Sequence, residues 1–372
     1  MMRNLDRRLI PALALLATIT GCASLGPPEV CPAGTQDLPD CPPIGAIVDP
    51  TISALYDNRT WIPPGELAAD PIELGKNAKI PIQSAEVRFV GSTNEDALNS
   101  LAAKIWLIEN AQHTIDATYY IFKPDLIGGA MLGALCNAVK RGVDVRFMVD
   151  SLGSMDPDHS GMKGLERCAR EAGFMRNAAG ELTTKKARVQ AMVFNAISKV
   201  FVNANRRSHD KLLVVDGTFP DRTVVMTGGR NISLSYYGIR EDGSTDPDTY
   251  LDAEILLRNG PASKPGESNV GQVSGDYFTL LFLFDNNQRL RPLPGYSYES
   301  DRRDAQEKLA TLKAIPGVKE RLNAMPDFFS KGWTDSRVVL AHEFGNLTND
   351  DVFTDVVENL RQNPNSIQYM LQ

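Results

Sequence analysis

Residues 114–122 read TIDATYYIF, residues 128–140 read GGAMLGALCNAVK and residues 143–149 read VDVRFMV. The first segment is β-branched and aromatic, the composition of a strand. The second places Met131, Leu132, Leu135 and Val139 on one helical face and ends at Arg141-Gly142, a helix stop. The third is nearly continuous apolar sequence, as expected of a strand buried on both faces. Strand, helix and strand within 36 residues make a βαβ unit, and this unit sets the fold class.

Working outward, Asn94 is positioned to cap a helix over 95–110, with Leu98, Leu101, Ile105 and Ile108 on one stripe. Residues 160–172 read as helical and Val189–Phe194 as a strand. Further strands are expected at His209–Asp216, Thr223–Thr227 and Leu251–Leu257, and a covering helix at Tyr277–Gln288. The expected fold is α/β: a mixed β-sheet sandwiched between helices, forming one lobe. Four parts follow: residues 1–22, an export signal; 23–84, a Pro/Gly-rich tether and wrapping segment; 85–290, the lobe; and 291–372, a linker or helical C-terminal extension. The last part is more polar, with helices near 302–313 and 350–362.

The chain has 372 residues, 42% hydrophobic and 23% charged, which excludes a disordered or fibrous protein. Its 39 basic and 46 acidic residues give a net charge of −7. A broadly basic nucleic-acid surface is therefore not expected. The apolar run Leu9–Thr20 follows Arg3, Arg7 and Arg8 and is broken by Pro11. It falls short of the ~20 residues of a membrane-spanning helix and reads as a secretory signal. It ends in Ile19-Thr20-Gly21-Cys22, which resembles the bacterial lipobox. The resemblance implies lipidation at Cys22. Ala23 in place of Asp implies sorting to the outer membrane of a bacterial envelope. Acyl chains at ~0.8 kcal/mol per buried CH₂ would hold a soluble domain on a bilayer. With Cys22 set aside, four Cys remain. Cys31 and Cys41 can close a small loop; Cys136 and Cys168 are either a second disulfide or two buried thiols.

The chemistry concentrates at Ser208-His209-Asp210-Lys211-Leu212-Leu213-Val214-Val215-Asp216-Gly217. On a strand His209 and Lys211 face the same way, about 6.6 Å apart. Leu212 and Val214 face the other way, into packing. Asp216 has the opposite parity to His209 and belongs at the turn, away from any ligand the first two share. Downstream stands Gly228-Gly229-Arg230-Asn231.

The form H-x-K-x4-D followed by G-G-x-N resembles the signature of the phospholipase D superfamily, and the GGRN form with the signal segment resembles its cardiolipin-synthase-like branch. The strand–helix–strand at 115–150 is similar to the opening of that fold. The resemblance covers roughly residues 85–290. It implies a phosphodiesterase or phosphatidyltransferase acting on phospholipids, with no metal or other cofactor. His209 would attack phosphorus through a ring nitrogen and form a phosphohistidine. Lys211, Gly229 and Asn231 would bind the phosphate oxygens, and Asp216 would be a supporting residue. Asp252 or Glu254 would hold the far nitrogen of His209, with Asp252 the preferred candidate.

The family pairs two such motifs across a shared cleft, one His as nucleophile and the other as acid and base. His113, His159 and His342 have no Lys two residues on, so this sequence holds one copy. The insert Gly217-Thr218-Phe219-Pro220-Asp221-Arg222 also lengthens the spacing from Asp216 to Gly228. Three explanations fit: a homodimer sharing one site, an N-terminal half lacking its second motif, or a catalytically lapsed lipoprotein that binds head groups. A secreted homodimeric endonuclease is the alternative within the same chemistry. The acidic net charge disfavours it, because polynucleotide affinity rests on Lys/Arg contacts to phosphate.

Overall fold

The computed structural model describes residues 40–76, 78–156, 158–199, 207–260 and 268–342, with Phe344, Leu347 and Val357. Cys22, the rest of the stretch expected to be an export signal, Cys31 and nearly all of the helix expected at 350–362 lie outside these residues. Contacts divide the chain into Met1–Cys41 and Pro42–Gln372. Everything below concerns the second unit.

Its elements run α1 (Pro50–Asn58), α2 (Pro71–Lys76), β1 (Gln83–Val90), α3 (Asn94–Asn110), β2 (Thr114–Tyr119), α4 (Leu126–Lys140), β3 (Asp144–Asp150) and α5 (Ser160–Arg167). There follow β4 (Phe174–Arg176), β5 (Leu182–Lys186), β6 (Val189–Phe194), β7 (Lys211–Val215), β8 (Val224–Gly228), β9 (Glu254–Asn259), α6 (Val270–Phe282), β10 (Gln288–Arg289), α7 (Glu299–Ala314), α8 (Pro316–Ser330) and β11 (Thr334–Val338). Nine strands form one mixed sheet in the order β10-β6-β3-β2-β7-β8-β9-β1-β11. The expected α/β sandwich is what the chain adopts.

β2, β3 and β6 run parallel, and β7 turns back antiparallel beside β2, with Tyr119 opposite Lys211 and Ile115 opposite Val215. β2 and β3 are buried along their whole length, as their apolar composition requires. One face of the sheet packs Leu213 and Val215 against α3 and α4. The other packs Leu212 and Val214 against Phe278 and Phe282 of α6. The alternation of β7 thus has a core on each side.

Several boundaries move. Thr93 caps α3 in a capping box with Asp96, and Asn94 is its first helical residue. The covering helix spans Val270–Phe282 instead of Tyr277–Gln288, because Asn269 caps it by accepting from the Gln272 N–H. Within the stretch expected to tether and wrap, α1 and α2 bury Ile52 and Ile72. Arg59 follows α1 and binds Asp116 and Asp144 at 2.9 and 2.8 Å. Within 291–372, α7 lies on α4, α8 lies on α3, and β11 pairs with β1. Cys136 and Cys168 form a disulfide across a Cα–Cα distance of 5.5 Å, joining α4 to the turn after α5. Cys41 is also disulfide-bonded. Among the described residues, no helix is long and apolar enough to cross a membrane.

Candidate active site

The sheet changes from parallel to antiparallel between β2 and β7, and the loops beyond the carboxyl end of β2 form a crevice there. His209 stands just ahead of β7, exposed to solvent, and Lys211 opens that strand almost fully buried. The Lys211 ammonium lies 3.0 Å from His209 Nδ1 and donates to the His209 carbonyl at 2.7 Å. The Tyr120 ring covers the imidazole at 4.4 Å between centroids. Burial, together with the cation at Lys211, pushes the His209 imidazole below its ordinary value of 6.5, against the pull of Asp210, Asp150 and Asp252. Burial also lowers Lys211, which Asp210 and Asp252 oppose. The lowering favours the neutral ring at pH 7.

The Gly-Gly-Arg-Asn turn closes the same crevice from β8. Gly228 has φ +152°, and a Cβ there would meet the Ala253 carbonyl at 2.4 Å. A Cβ on Gly229 would meet Asp252 Oδ1 at 2.1 Å. Glycine at both positions lets the turn press against the chain entering β9. Arg230 is fully buried and pairs with Glu254 at 3.4 Å, while Lys104 of α3 binds the same carboxylate at 2.6 Å. Ser100 donates to it as well. Glu254 is thus spent on holding β9 and the turn, and it does not reach His209.

Asn231 is buried. Its Oδ1 accepts from the Ile121 N–H at 2.8 Å and its Nδ2 donates to the Tyr236 hydroxyl at 2.8 Å. An amide nitrogen carries two hydrogens, and the Tyr236 bond uses one of them. Asp252 lies within electrostatic reach of His209, Lys211 and Tyr236, and no hydrogen bond joins it to the ring of His209 among the described residues. Asp216 follows the opposite end of β7. It adopts φ +51° and accepts from the backbone N–H groups of His113 and Thr114 at 2.7 and 2.9 Å, and of Gln112. His209, Lys211, Gly229, Asn231 and Asp252 therefore share one crevice, and Asp216 pins the entry to β2 at the far end of β7.

Sequence reasoning passed over the groups that frame His209. Asp150, at the carboxyl end of β3, accepts from the Leu152 and Gly153 N–H groups at 2.9 and 3.0 Å and pairs with Arg207 at 3.5 Å. Burial raises its carboxyl above the usual carboxylate value. Tyr236, the hydrogen-bond partner of Asn231, packs against Tyr250 with the rings tilted by 46° and their centroids 5.1 Å apart. The one available signal was position: Asp150-Ser151-Leu152-Gly153 is a turn sequence directly after a buried strand. A cavity of about 800 Å³ opens beyond Ser151, between the ends of β3 and β6. Met155, His159, Lys163, Ile197 and Arg291 are among its lining residues.

With this geometry in view, the comparisons with known proteins are specific. Residues 105–242 match the family model described as "Cardiolipin synthase, PLD-like domain". Cardiolipin synthase C of Escherichia coli is 32% identical over 158 residues, 40% of this chain and 28% of that protein. Cardiolipin synthase 1 of Bacillus anthracis is 30% identical over 149 residues, 40% of this chain and 25% of that protein. The match therefore spans less than a third of either relative's length. Among solved structures, the phospholipase D family member Nuc of Salmonella typhimurium is 17% identical, covers 56% of this chain and 99% of its own, and has a TM-score of 0.35. The matched stretch runs from α3 past the Gly-Gly-Arg-Asn turn and includes His209, Lys211 and Asn231.

Proposed function

We propose that this chain supplies the nucleophilic half-site of a phosphatidyl-transferring or phosphatidyl-hydrolysing enzyme, with His209 as nucleophile. The observation that carries the reading is the contact between Lys211 Nζ and His209 Nδ1 at the start of the central strand β7. The ammonium holds the ring neutral and occupies a ring lone pair. The non-bridging oxygens of a phosphodiester compete for that ammonium. Substrate binding then draws Lys211 onto phosphate and frees the ring nitrogen to attack. The N–P bond forms as the P–O bond to the departing alkoxide breaks. The second Nδ2 hydrogen of Asn231 meets the same oxygens, and the Gly228-Gly229 backbone lets phosphate come close. Water or an alcohol then attacks the phosphohistidine, giving hydrolysis or transfer.

The leaving alkoxide needs a proton, and the water or alcohol needs a base. The sequence carries one H-x-K-x4-D, so in this reading a second copy of the chain, or a second motif outside it, faces His209 and fills that role. Phospholipid is the proposed substrate. The 800 Å³ cavity beyond Ser151 combines apolar residues with Lys163, Arg289 and Arg291, and also with Asp156 and Asp158, a lining with room for an amphipathic molecule. The lipobox-like Ile19-Thr20-Gly21-Cys22 suggests a lipid anchor at Cys22 in a bacterial envelope, outer membrane in preference to inner. A polynucleotide substrate is the second reading; the net charge of −7 weighs against it.

The test is head-group release from phosphatidylglycerol vesicles by the full chain, with single-stranded DNA as the competing substrate. Wild type should release glycerol or exchange it for an added alcohol, and His209→Ala should lower this at least 10³-fold, in the range of removing a nucleophile. Cleavage of DNA with no action on vesicles would replace the lipid reading with the nuclease one. Full activity in His209→Ala would overturn both.

A further inference from the structure

Asp210 stands between His209 and Lys211, and by strand alternation its side chain leaves on the opposite face, toward α6. There Oδ2 accepts from the Ser208 hydroxyl at 2.6 Å and from the Tyr277 hydroxyl at 2.9 Å. The Asp210 carbonyl accepts from the Tyr120 N–H at 3.0 Å, and it is the Tyr120 ring that covers His209. Tyr277 is itself fixed. Its ring stacks on Phe344 at 5.1 Å, and its neighbour Phe278 is fully buried in the core that α6 shares with β7.

We propose that Tyr277 is a positioning residue for His209, acting through the Asp210 carboxylate that it holds from α6. The consequence is mechanical and electrostatic together. The hydroxyl ties the two-residue step between nucleophile and phosphate-binding cation to a rigid helix on the far side of the sheet. It also fixes where one negative charge sits relative to His209 and Lys211. The other groups facing the imidazole come from separate elements: Lys211 on β7, Asp150 at the end of β3, Asp252 ahead of β9 and the Tyr120 ring after β2. Asp210 is the carboxylate among them that shares a backbone step with both His209 and Lys211, so its placement has leverage on both. A ring displaced by even 1 Å can cost on the order of 10²-fold in rate.

The inference rests on His209 being the nucleophile, and its test is chosen to separate the two. His209 is followed by NMR titration of its ring nitrogens in the full chain, alongside the rate of phosphohistidine formation. Y277F keeps the stacked ring and removes one hydroxyl; D210A removes what that hydroxyl holds. Y277F should move the His209 midpoint away from wild type and slow phosphohistidine formation by about tenfold, with KM little changed. D210A should lower the midpoint, because it removes an acidic neighbour. The double variant should match D210A, since a residue that acts through another adds nothing once that other is gone. D210S replaces D210A if the alanine variant does not fold. Wild-type midpoint and rate in Y277F, or an equal Y277F effect in both backgrounds, would overturn the proposal. Absence of phosphohistidine in wild type would defeat the nucleophile reading instead, and the titration cycle would still decide the role of Tyr277.

Discussion

At the residue scale the site depends on which charges neighbour His209. Its folded value lies below 6.5, and the neutral ring is the reactive form. The acid limb in the pH dependence of kcat/KM should therefore have its midpoint below 6.5. A midpoint above 6.5 would mean that the carboxylates outweigh burial and Lys211. Gly229 gives a second check. A Cβ there would strike Asp252 Oδ1, so Gly229→Ala should cost activity about tenfold or more and about 1–3 kcal/mol of stability by denaturant titration. An unchanged kcat/KM would show that the turn and Asp252 do not act together. His209 and Lys211 were legible from spacing because strand alternation acts over two residues. Tyr277 and Asp150 were not, since Tyr277 meets Asp210 from 67 residues away and Asp150 meets Arg207, just ahead of the motif, from 57.

At the scale of elements, burial decides what sequence reveals. β2, α4 and β3 were readable because they are apolar throughout or on a clear stripe. β11, Thr334–Val338, has no buried residue and so carries no apolar period; it is held by its pairing to β1. The start of α6 was hidden because Gly271, Ser274 and Gly275 are weak helix formers next to the cap at Asn269. The start of β9 is held by charge: Lys104, Arg230 and Ser100 converge on Glu254. Burial pulls Lys104 below its ordinary value and Glu254 opposes that pull. Lys104→Met leaves Glu254 buried beside one cation and should cost about 3–5 kcal/mol in a denaturant titration. A loss under 1 kcal/mol would show that Arg230 suffices. Asp216→Ala would strand three backbone N–H groups at the far end of β7. It should cost stability at about 1–3 kcal/mol for each buried donor left unpaired, while Lys211 and His209 keep their contact.

For the whole molecule, the disulfide between Cys136 and Cys168 closes a loop of 32 residues. Replacing both Cys by Ser should lower stability by roughly 3–4 kcal/mol, and reductant should do the same to wild type. Spacing alone could not decide between disulfide and thiols, since it does not give the Cα–Cα distance that permits the bond. Acid should act on the Arg59–Asp116–Arg146 cluster. Burial pushes Asp116 up, but Arg146 and Arg59 outweigh it and hold the carboxyl below 3.8. Its contribution is thus complete above 3.8 and disappears as pH falls through the lower folded value. The sheet, its two covered faces and the crevice were legible as a class of fold; the ties from α1, α7 and α8 were not, because polar stretches do not announce where they dock.

The most direct measurement is mass analysis of the full chain, quenched in cold denaturant at neutral pH after brief mixing with phosphatidylglycerol, followed by peptide mapping. The account predicts a phosphatidyl adduct on the peptide containing His209, held by a bond that is lost in acid, and absent from His209→Ala. An adduct on another residue, or turnover with no covalent intermediate in a rapidly quenched wild-type sample, would contradict it.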